Sequence, residues 1–140
     1  MVKIDRSNWP IVFIEVDGLT TLAAMEEYNT EMESLLDFAE QQPEKFGIVY
    51  LAHMSDDEFK SHKREKAAQK LSKVWLKANK PRIAARCVGI AMVTQATGMM
   101  KVMRPIAKRT VKYMMGAPGD MFFTREEAEV WMQEKVVTMV

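Results

Sequence analysis

Short, continuous apolar runs alternate along this chain with longer stretches in which apolar residues recur every three or four positions. Because parallel strands covered on both faces are apolar throughout, we interpret the short runs as buried strands. They lie at Ile11–Val16, Phe46–Ala52, Val88–Val93 and Met121–Phe123. A short strand at Val2–Asp5 is expected to pair with the first of them.

The first two helices are bounded by polar caps and prolines. One begins after the threonine pair 20–21, either of which suits an N-cap, and ends before Pro43. The second is predicted to begin at Ser55, because Ser55 and Glu58 fit a capping box. It should stop before Pro81, which lacks a donor and restricts the residue before it. Its expected inward residues are Phe59, Ala67, Leu71, Val74, Trp75 and Ala78.

The third and fourth helices complete the pattern. The third covers roughly Met99–Met115 and ends at a Gly-Ala-Pro-Gly segment. Its expected inward stripe is Met99, Met103, Ile106, Thr110 and Met114. The fourth opens at a second capping box, Thr124 to Glu127, and turns Ala128, Trp131 and Met132 inward.

This alternation predicts an α/β fold in one domain over residues 1–140. The order is (β)β-α-β-α-β-α-β-α, and strands joined by single helices cross over right-handedly into a mainly parallel sheet. A chain of 140 residues is long enough to bury a core without disulfides. Its one cysteine, Cys87, has apolar neighbours and is interpreted as a core residue rather than a nucleophile.

Localisation is predicted from two features of the sequence. Charged residues interrupt the N-terminus where a signal peptide needs an apolar run, and no apolar run of about 18 residues occurs. We therefore expect a cytoplasmic protein, with peripheral attachment to a membrane as the alternative.

The order of elements and the terminal strand-to-helix block carry a resemblance to a known family. A short strand ending in Phe runs into a Thr-capped helix with a Glu-Ala-x-x-Trp pattern, carried here by Phe123, Thr124, Glu127, Ala128 and Trp131. The chain thereby resembles the SpoIIAA-like group, which is related to STAS domains and more distantly to SEC14 lipid-binding domains. The resemblance implies a superhelix of βα units that regulates a protein partner or binds a lipid-like ligand, and it does not imply an enzyme.

The resemblance also bears on Ser55. In anti-sigma-factor antagonists of this group a phosphorylated serine follows the equivalent strand. Here Ser55 is followed by Asp56 and Asp57, whose charges would repel a phosphate. Helix capping is therefore the favoured interpretation of Ser55.

Catalytic and metal-binding motifs are weak in this sequence. It contains no glycine-rich phosphate loop and no Gly-x-Ser-x-Gly elbow. The two histidines, His53 and His62, do not match a standard zinc spacing. Thioethers at Met99, Met100 and Met103 suit soft cations, but their helical spacing favours a core role. We predict no catalytic residue, no metal and no cofactor.

The distribution of charge is the most informative feature. Residues 1–58 contain 13 acids and 3 bases, whereas residues 59–113 contain 15 bases and one acid. The bases form one row on each of two helices: Lys60, Lys63, Lys66, Lys70, Lys73 and Lys77, then Lys101, Arg104, Lys108 and Lys112. Such rows attract an anionic partner. Nucleic acid is disfavoured as the partner, since interleaved aromatics and a recognition motif are absent. Two partners for these rows remain as alternatives: an acidic membrane surface and the acidic first helix of another copy.

The leading hypothesis is a non-enzymatic regulatory or binding module that engages a protein partner as a homodimer. Its basic recognition face would comprise Lys66, Lys70, Lys73, Lys101 and Lys108. The alternative is a binder of a lipid-like or apolar anionic small molecule, and a hydrolase using His53 is the least favoured. The candidate ligand- or partner-binding residues are His53, Ser55, Thr94, Thr97, Met99, Met103 and Arg104.

Overall fold

A computed structural model of the protein describes residues 2–16, 19–52, 63–94 and 97–138, apart from the side chains at 52, 97–100, 103 and 138. Within these ranges the predicted order of strands and helices is confirmed. The strands are β1 (Val2–Asp5), β2 (Ile11–Val16), β3 (Phe46–Ala52), β4 (Cys87–Val93) and β5 (Gly119–Phe122). The helices are α1 (Leu22–Glu40), α2 (Lys66–Arg86), α3 (Thr97–Met115) and α4 (Arg125–Thr138).

The five strands form one sheet in sequence order, β1-β2-β3-β4-β5. β1 pairs antiparallel with β2, and the other three pairings are parallel. Each parallel pair is connected through a helix, because parallel neighbours require a crossover. The expectation of a mainly parallel sheet is therefore confirmed.

The two faces of the sheet bury separate clusters of apolar side chains. Val12, Ile48 and Ile90 point to the face covered by α1, α2 and α3. Phe13 and Val49 point to the opposite face, which α4 covers with Met132. Successive crossovers of one hand that always advance in the same direction put their helices on one face, so α1, α2 and α3 form a single layer.

Side-chain caps fix two helix starts where the sequence predicts them. The hydroxyl oxygen of Thr21 accepts from the amide of Ala24 at 3.1 Å at the start of α1. At the start of α4 the hydroxyl oxygen of Thr124 accepts from the amide of Glu127 at 3.1 Å. The same hydroxyl donates to the Glu127 carboxylate, so the two side chains stabilise one another.

The prediction that the second helix stops before Pro81 is wrong. α2 continues through Pro81 to Arg86 and passes into β4 at the next residue. Pro81 lies on the exposed side, while the buried Ile83 anchors the following turn. Arg86 also donates to the carbonyls of Ala39, Gln42 and Glu44 at the end of α1. These contacts outweigh the hydrogen bond that the proline removes.

The inward faces of α2 and α3 differ in part from those predicted. Ala67, Val74 and Ala78 are exposed, whereas the buried residues of α2 are Ala68, Asn79 and Ile83. On α3 both Ile106 and Thr110 are exposed, and Val111 and Met115 pack on the core instead. The missing side chain of Gly119 gives Val111 its place, since a Cβ there would lie 2.7 Å from the Cβ of Val111.

The start of α2 at Ser55 lies outside the described residues, whose first helical position here is Lys66 with Glu65 before it. Two strands also shift slightly from their predicted bounds. β4 begins at Cys87, one residue early, and β5 covers Gly119–Phe122 instead of residues 121–123.

Gly116 ends α3 with a positive φ of 77°, a conformation that glycine adopts without strain.

We predict that Leu36→Ala lowers the free energy of unfolding by about 2–5 kcal/mol, because a fully buried side chain is lost and a cavity remains. Leu36 is 0% exposed on α1. Leu22→Ala on the same helix is the matched control, since Leu22 is 37% exposed. Urea unfolding checks both variants, and equal losses would contradict the packing described for α1.

Candidate functional site

The outward side of α2 carries a row of four lysines: Lys66, Lys70, Lys73 and Lys77. Their spacing of four, three and four places them along one side of the helix, and all four are exposed. The opposite side of α2 packs through Ala68 and Ile83, which are 0% and 1% exposed. The predicted lysine row is therefore a surface feature of the folded chain.

The outward side of α3 combines cations with apolar side chains. Lys101, Arg109 and Lys112 are exposed along it. Three large apolar side chains lie beside them: Val102 is 60% exposed, Ile106 50% and Tyr113 79%. Lys80 of α2 holds its ammonium group 5.1 Å from the centre of the Tyr113 ring, so the surfaces of the two helices meet there.

We name these outward residues together the basic face: Lys66, Lys70, Lys73 and Lys77 of α2 with Lys101, Arg109 and Lys112 of α3. Between Lys66 and Met115 the chain contains twelve basic residues and no Asp or Glu. Within the described ranges, none of the seven cations of the basic face has a carboxylate within ion-pair distance. Among the described residues the surface is therefore strongly positive and has no acidic partner of its own.

Arg82 is the cation through which α2 meets the acidic helix α1. Its guanidinium lies 2.8 Å from Glu33, 2.8 Å from Asp37 and 2.6 Å from Glu40. Hydrogen bonds to Glu40 and Glu33 raise the pKa of Arg82, and the hydrogen bond from Arg82 lowers the pKa of Glu40. The indole of Trp75 also donates to Glu33. Part of the acidic surface predicted to meet a second copy is thus engaged within one chain.

Asp120 is the buried carboxylate that holds α3 against β5. Its side chain is 10% exposed, with Arg104 Nε 3.1 Å from one oxygen and Lys108 Nζ 3.6 Å from the other. Burial raises the pKa of Asp120, but hydrogen bonds from Arg104 and the Met121 amide, with the two cationic charges, outweigh it and leave the pKa below its usual range. Asp120 was not predicted from the sequence, because it lies directly before the predicted strand Met121–Phe123; an acid next to a buried apolar run requires a cationic partner.

A shallow depression of about 340 Å³ opens beside this ion pair. It is lined by Lys108 and Lys112 of α3, by residues 118–120, and by Trp131 and Lys135 of α4. Lys135 also lies 5.2 Å from the centre of the Trp131 ring. Lys108 was predicted on the basic recognition face and Trp131 as an inward residue of the fourth helix. That Lys135 lies beside both was not predicted, because α3 and α4 cover opposite faces of the sheet.

Two buried phenols form a further polar contact in the core. The hydroxyls of Tyr28 on α1 and Tyr50 on β3 hydrogen-bond to one another. Burial raises the pKa of Tyr28 to about 12 and raises that of Tyr50 well above its usual value. Cys87 is buried as predicted, and burial raises the pKa of its thiol to about 12. None of these three groups is poised to ionise at neutral pH.

The candidate ligand-binding residues are only partly described. His53 and Ser55 lie outside the described residues, as do the side chains of Thr97, Met99 and Met103. Thr94 is 1% exposed, and its amide donates to the carbonyl of Phe122. Arg104 binds Asp120. The structure therefore places Thr94 directly after β4 and Arg104 on α3, each in contact with β5.

The described residues contain no group of three or more side chains suited to hold a metal ion. Among the helices seen in these ranges, none combines the length and the apolar run that crossing a lipid bilayer requires.

We expect Tyr50→Phe to lower the free energy of unfolding by about 1–3 kcal/mol, because the Tyr28 hydroxyl would stay buried without its partner. Replacing both tyrosines by Phe should cost less than the sum of the single changes. Urea unfolding of the four proteins in a double-mutant cycle measures this coupling. Strict additivity would contradict a direct hydrogen bond.

The same pair predicts a loss of stability in alkali. The pKa of Tyr28 rises from 10.0 to about 12 on folding. The contribution of the neutral Tyr28 hydroxyl to the free energy of unfolding is therefore complete below pH 10 and is lost as the pH rises towards 12. The Phe double variant should lack this component of the pH dependence. Urea titrations at increasing pH would refute the idea if both proteins lost stability in parallel.

Asp120→Asn should lower the free energy of unfolding at neutral pH by about 1–3 kcal/mol, since Arg104 and Lys108 lose a charged acceptor. The lowered pKa of Asp120 means that its contribution is present above the unfolded carboxyl pKa and is lost as the pH falls below it. Wild type and variant should therefore converge in acid. The exposed Glu31→Gln is the control, and a pH-independent difference for Asp120→Asn would contradict the ion pair.

Comparisons with known proteins identify the fold alone. No protein-family model matches the sequence, and no curated protein matches it. A crystal structure of an uncharacterised protein of the DUF3478 family from Shewanella loihica PV-4, described as having a SpoIIAA-like fold, superposes with a TM-score of 0.61 at 14% identity. The match covers 94% of this chain and 92% of that one. The expectation from the terminal block is thus confirmed at the level of architecture, and this chain has a SpoIIAA-like fold.

Proposed function

We propose that this protein is a non-enzymatic binding module that recognises a negatively charged partner through its basic face. The observation that carries the proposal is the layer of two adjacent helices without a single acidic residue, whose outward cations have no carboxylate partner in the described ranges. Uncompensated charges of one sign repel one another and destabilise the free protein. A partner that supplies the opposite charge relieves this repulsion and gains in affinity and association rate.

Four side chains of catalytic type within the described ranges are buried or paired. The Cys87 thiol and the Tyr28 and Tyr50 hydroxyls are buried, and their raised pKa values hold them neutral. Asp120 is committed to Arg104 and Lys108. Catalytic acids and nucleophiles require pKa values tuned towards the working pH, so these groups favour a binding role.

Self-association through the acidic first helix is the less favoured form of this proposal. Glu33 and Asp37, two of the acids expected to meet a second copy, bind Arg82 of their own chain. The outward Glu26, Glu27 and Glu31 are the acids of α1 that a second copy would still meet. The homodimer remains a prediction, and a distinct anionic partner accounts better for the extent of the basic face.

Heparin, used as a polyanionic probe, tests the proposal. We expect the wild-type protein to be retained on immobilised heparin and released by salt, because retention depends on screened charge. The double variant Lys70→Glu with Lys73→Glu should elute at much lower salt. Lys3→Glu with Lys45→Glu changes the net charge equally at residues outside the basic face, and should elute near the wild type.

Two results would contradict the proposal that the basic face binds a negatively charged partner. One is wild-type protein that passes through the column at low salt. The other is equal loss of retention in both double variants, which would show that net charge alone governs binding.

A further inference from the structure

An apolar stripe lies inside the basic face on α3. Val102, Ile106 and Tyr113 follow one another at intervals of four and seven residues, so they share one side of the helix over about 16 Å. They are 60%, 50% and 79% exposed. The inner side of α3 packs on the core through Val111 and Met115, which means that this stripe is additional to the surface that holds the helix in place.

Cations flank the apolar stripe on both of its sides. Lys101, Arg109 and Lys112 border it on α3 itself, and Lys80 reaches it from α2 over the Tyr113 ring. Single exposed apolar residues are ordinary on protein surfaces, but a line of three with cations on both sides is typical of an interaction site.

The chemistry of the stripe distinguishes between anionic partners. Phosphates of nucleic acid are bound by cations, and bases stack on aromatic rings, so exposed Val and Ile contribute little to such a complex. A lipid bilayer with acidic headgroups offers both requirements at one depth, since it presents phosphates to the cations and acyl chains to the aliphatic side chains. Tyrosine is enriched at this boundary because its ring is apolar and its hydroxyl is polar.

We infer that the protein docks on the surface of an anionic lipid bilayer with α3 lying in the interface, Val102 and Ile106 inserted among the acyl chains, and the basic face against the headgroups. This inference rests on the proposed function and names its partner. The fold permits the orientation: α2 lies beside α3 and brings its lysine row to the same surface. α4, with its acids Glu126, Glu127, Glu129 and Glu134, covers the opposite face of the sheet.

Vesicle co-sedimentation tests the inference with the full-length protein. We expect the protein to sediment with vesicles of phosphatidylcholine mixed with phosphatidylglycerol, less so as salt is raised, and not with vesicles of phosphatidylcholine alone. The double variant Val102→Ser with Ile106→Ser keeps every charge. It should bind the anionic vesicles at least about tenfold more weakly, because two buried aliphatic side chains are lost from the interface.

The chain offers a matched control on the other face of the sheet. Val130 and Val137 of α4 are 63% and 67% exposed, comparable to the residues of the stripe. Val130→Ser with Val137→Ser makes the same chemical change beside acidic neighbours. It should leave vesicle binding unchanged, and circular dichroism should show native helix content in both double variants.

The outcomes separate this inference from the proposed function. Protein that is retained on heparin but does not sediment with anionic vesicles would overturn the membrane inference and leave the proposed function intact. Unchanged vesicle binding by the Val102 and Ile106 variant would also overturn it, since charge alone would then account for binding. Loss of both heparin and vesicle binding would overturn the two together.

Discussion

The contact between Arg82 and three carboxylates of α1 is the interaction on which the arrangement of charge depends. It joins the acidic helix to a basic one and uses Glu33, Asp37 and Glu40 within the chain. Arg82 lies four positions before Arg86, the last residue of α2, and α2 leads directly into β4. Arg86 in turn donates a hydrogen bond to a carbonyl oxygen near the end of α1. Each exposed ion pair is worth little alone, but a network of charged hydrogen bonds in one place fixes how α2 lies on α1.

Once α2 is held in this way, its four outward lysines have no carboxylate partner among the residues that the structure describes. Its lysines point to solvent along one side, and α3 continues the same sign of charge across the neighbouring surface. Asp120 acts similarly for α3, since it binds Arg104 and Lys108 and leaves Lys101, Arg109 and Lys112 outward. A few internal ion pairs thus position the helices, and the remaining cations form the surface that we propose to bind an anionic partner.

Pro81 shows where local rules fail. A proline restricts the residue before it and lacks a donor, which predicts a helix end, yet Ile83 and Arg86 gain enough from packing and hydrogen bonding to carry α2 past it. The inward faces of α2 and α3 show a second limit. Helical periodicity alone does not decide whether Ala67 or Ala68 faces inward, yet Ala67 is exposed and Ala68 is buried. On α3 Val111 faces inward rather than Ile106, and Gly119 leaves room for it.

By itself the sequence determined the order of elements, a threonine cap at position 20 or 21, the cap at Thr124, the burial of Cys87, and the segregation of acid and base, because these follow from local periodicity, local hydrogen bonds and composition. Tertiary structure alone decided which cations point to solvent and which form ion pairs within the chain. Arg82 meets its acids across 42 to 49 residues and Arg104 meets Asp120 across 16. Such pairings depend on how whole helices lie on the sheet, and no pattern within one helix contains that information.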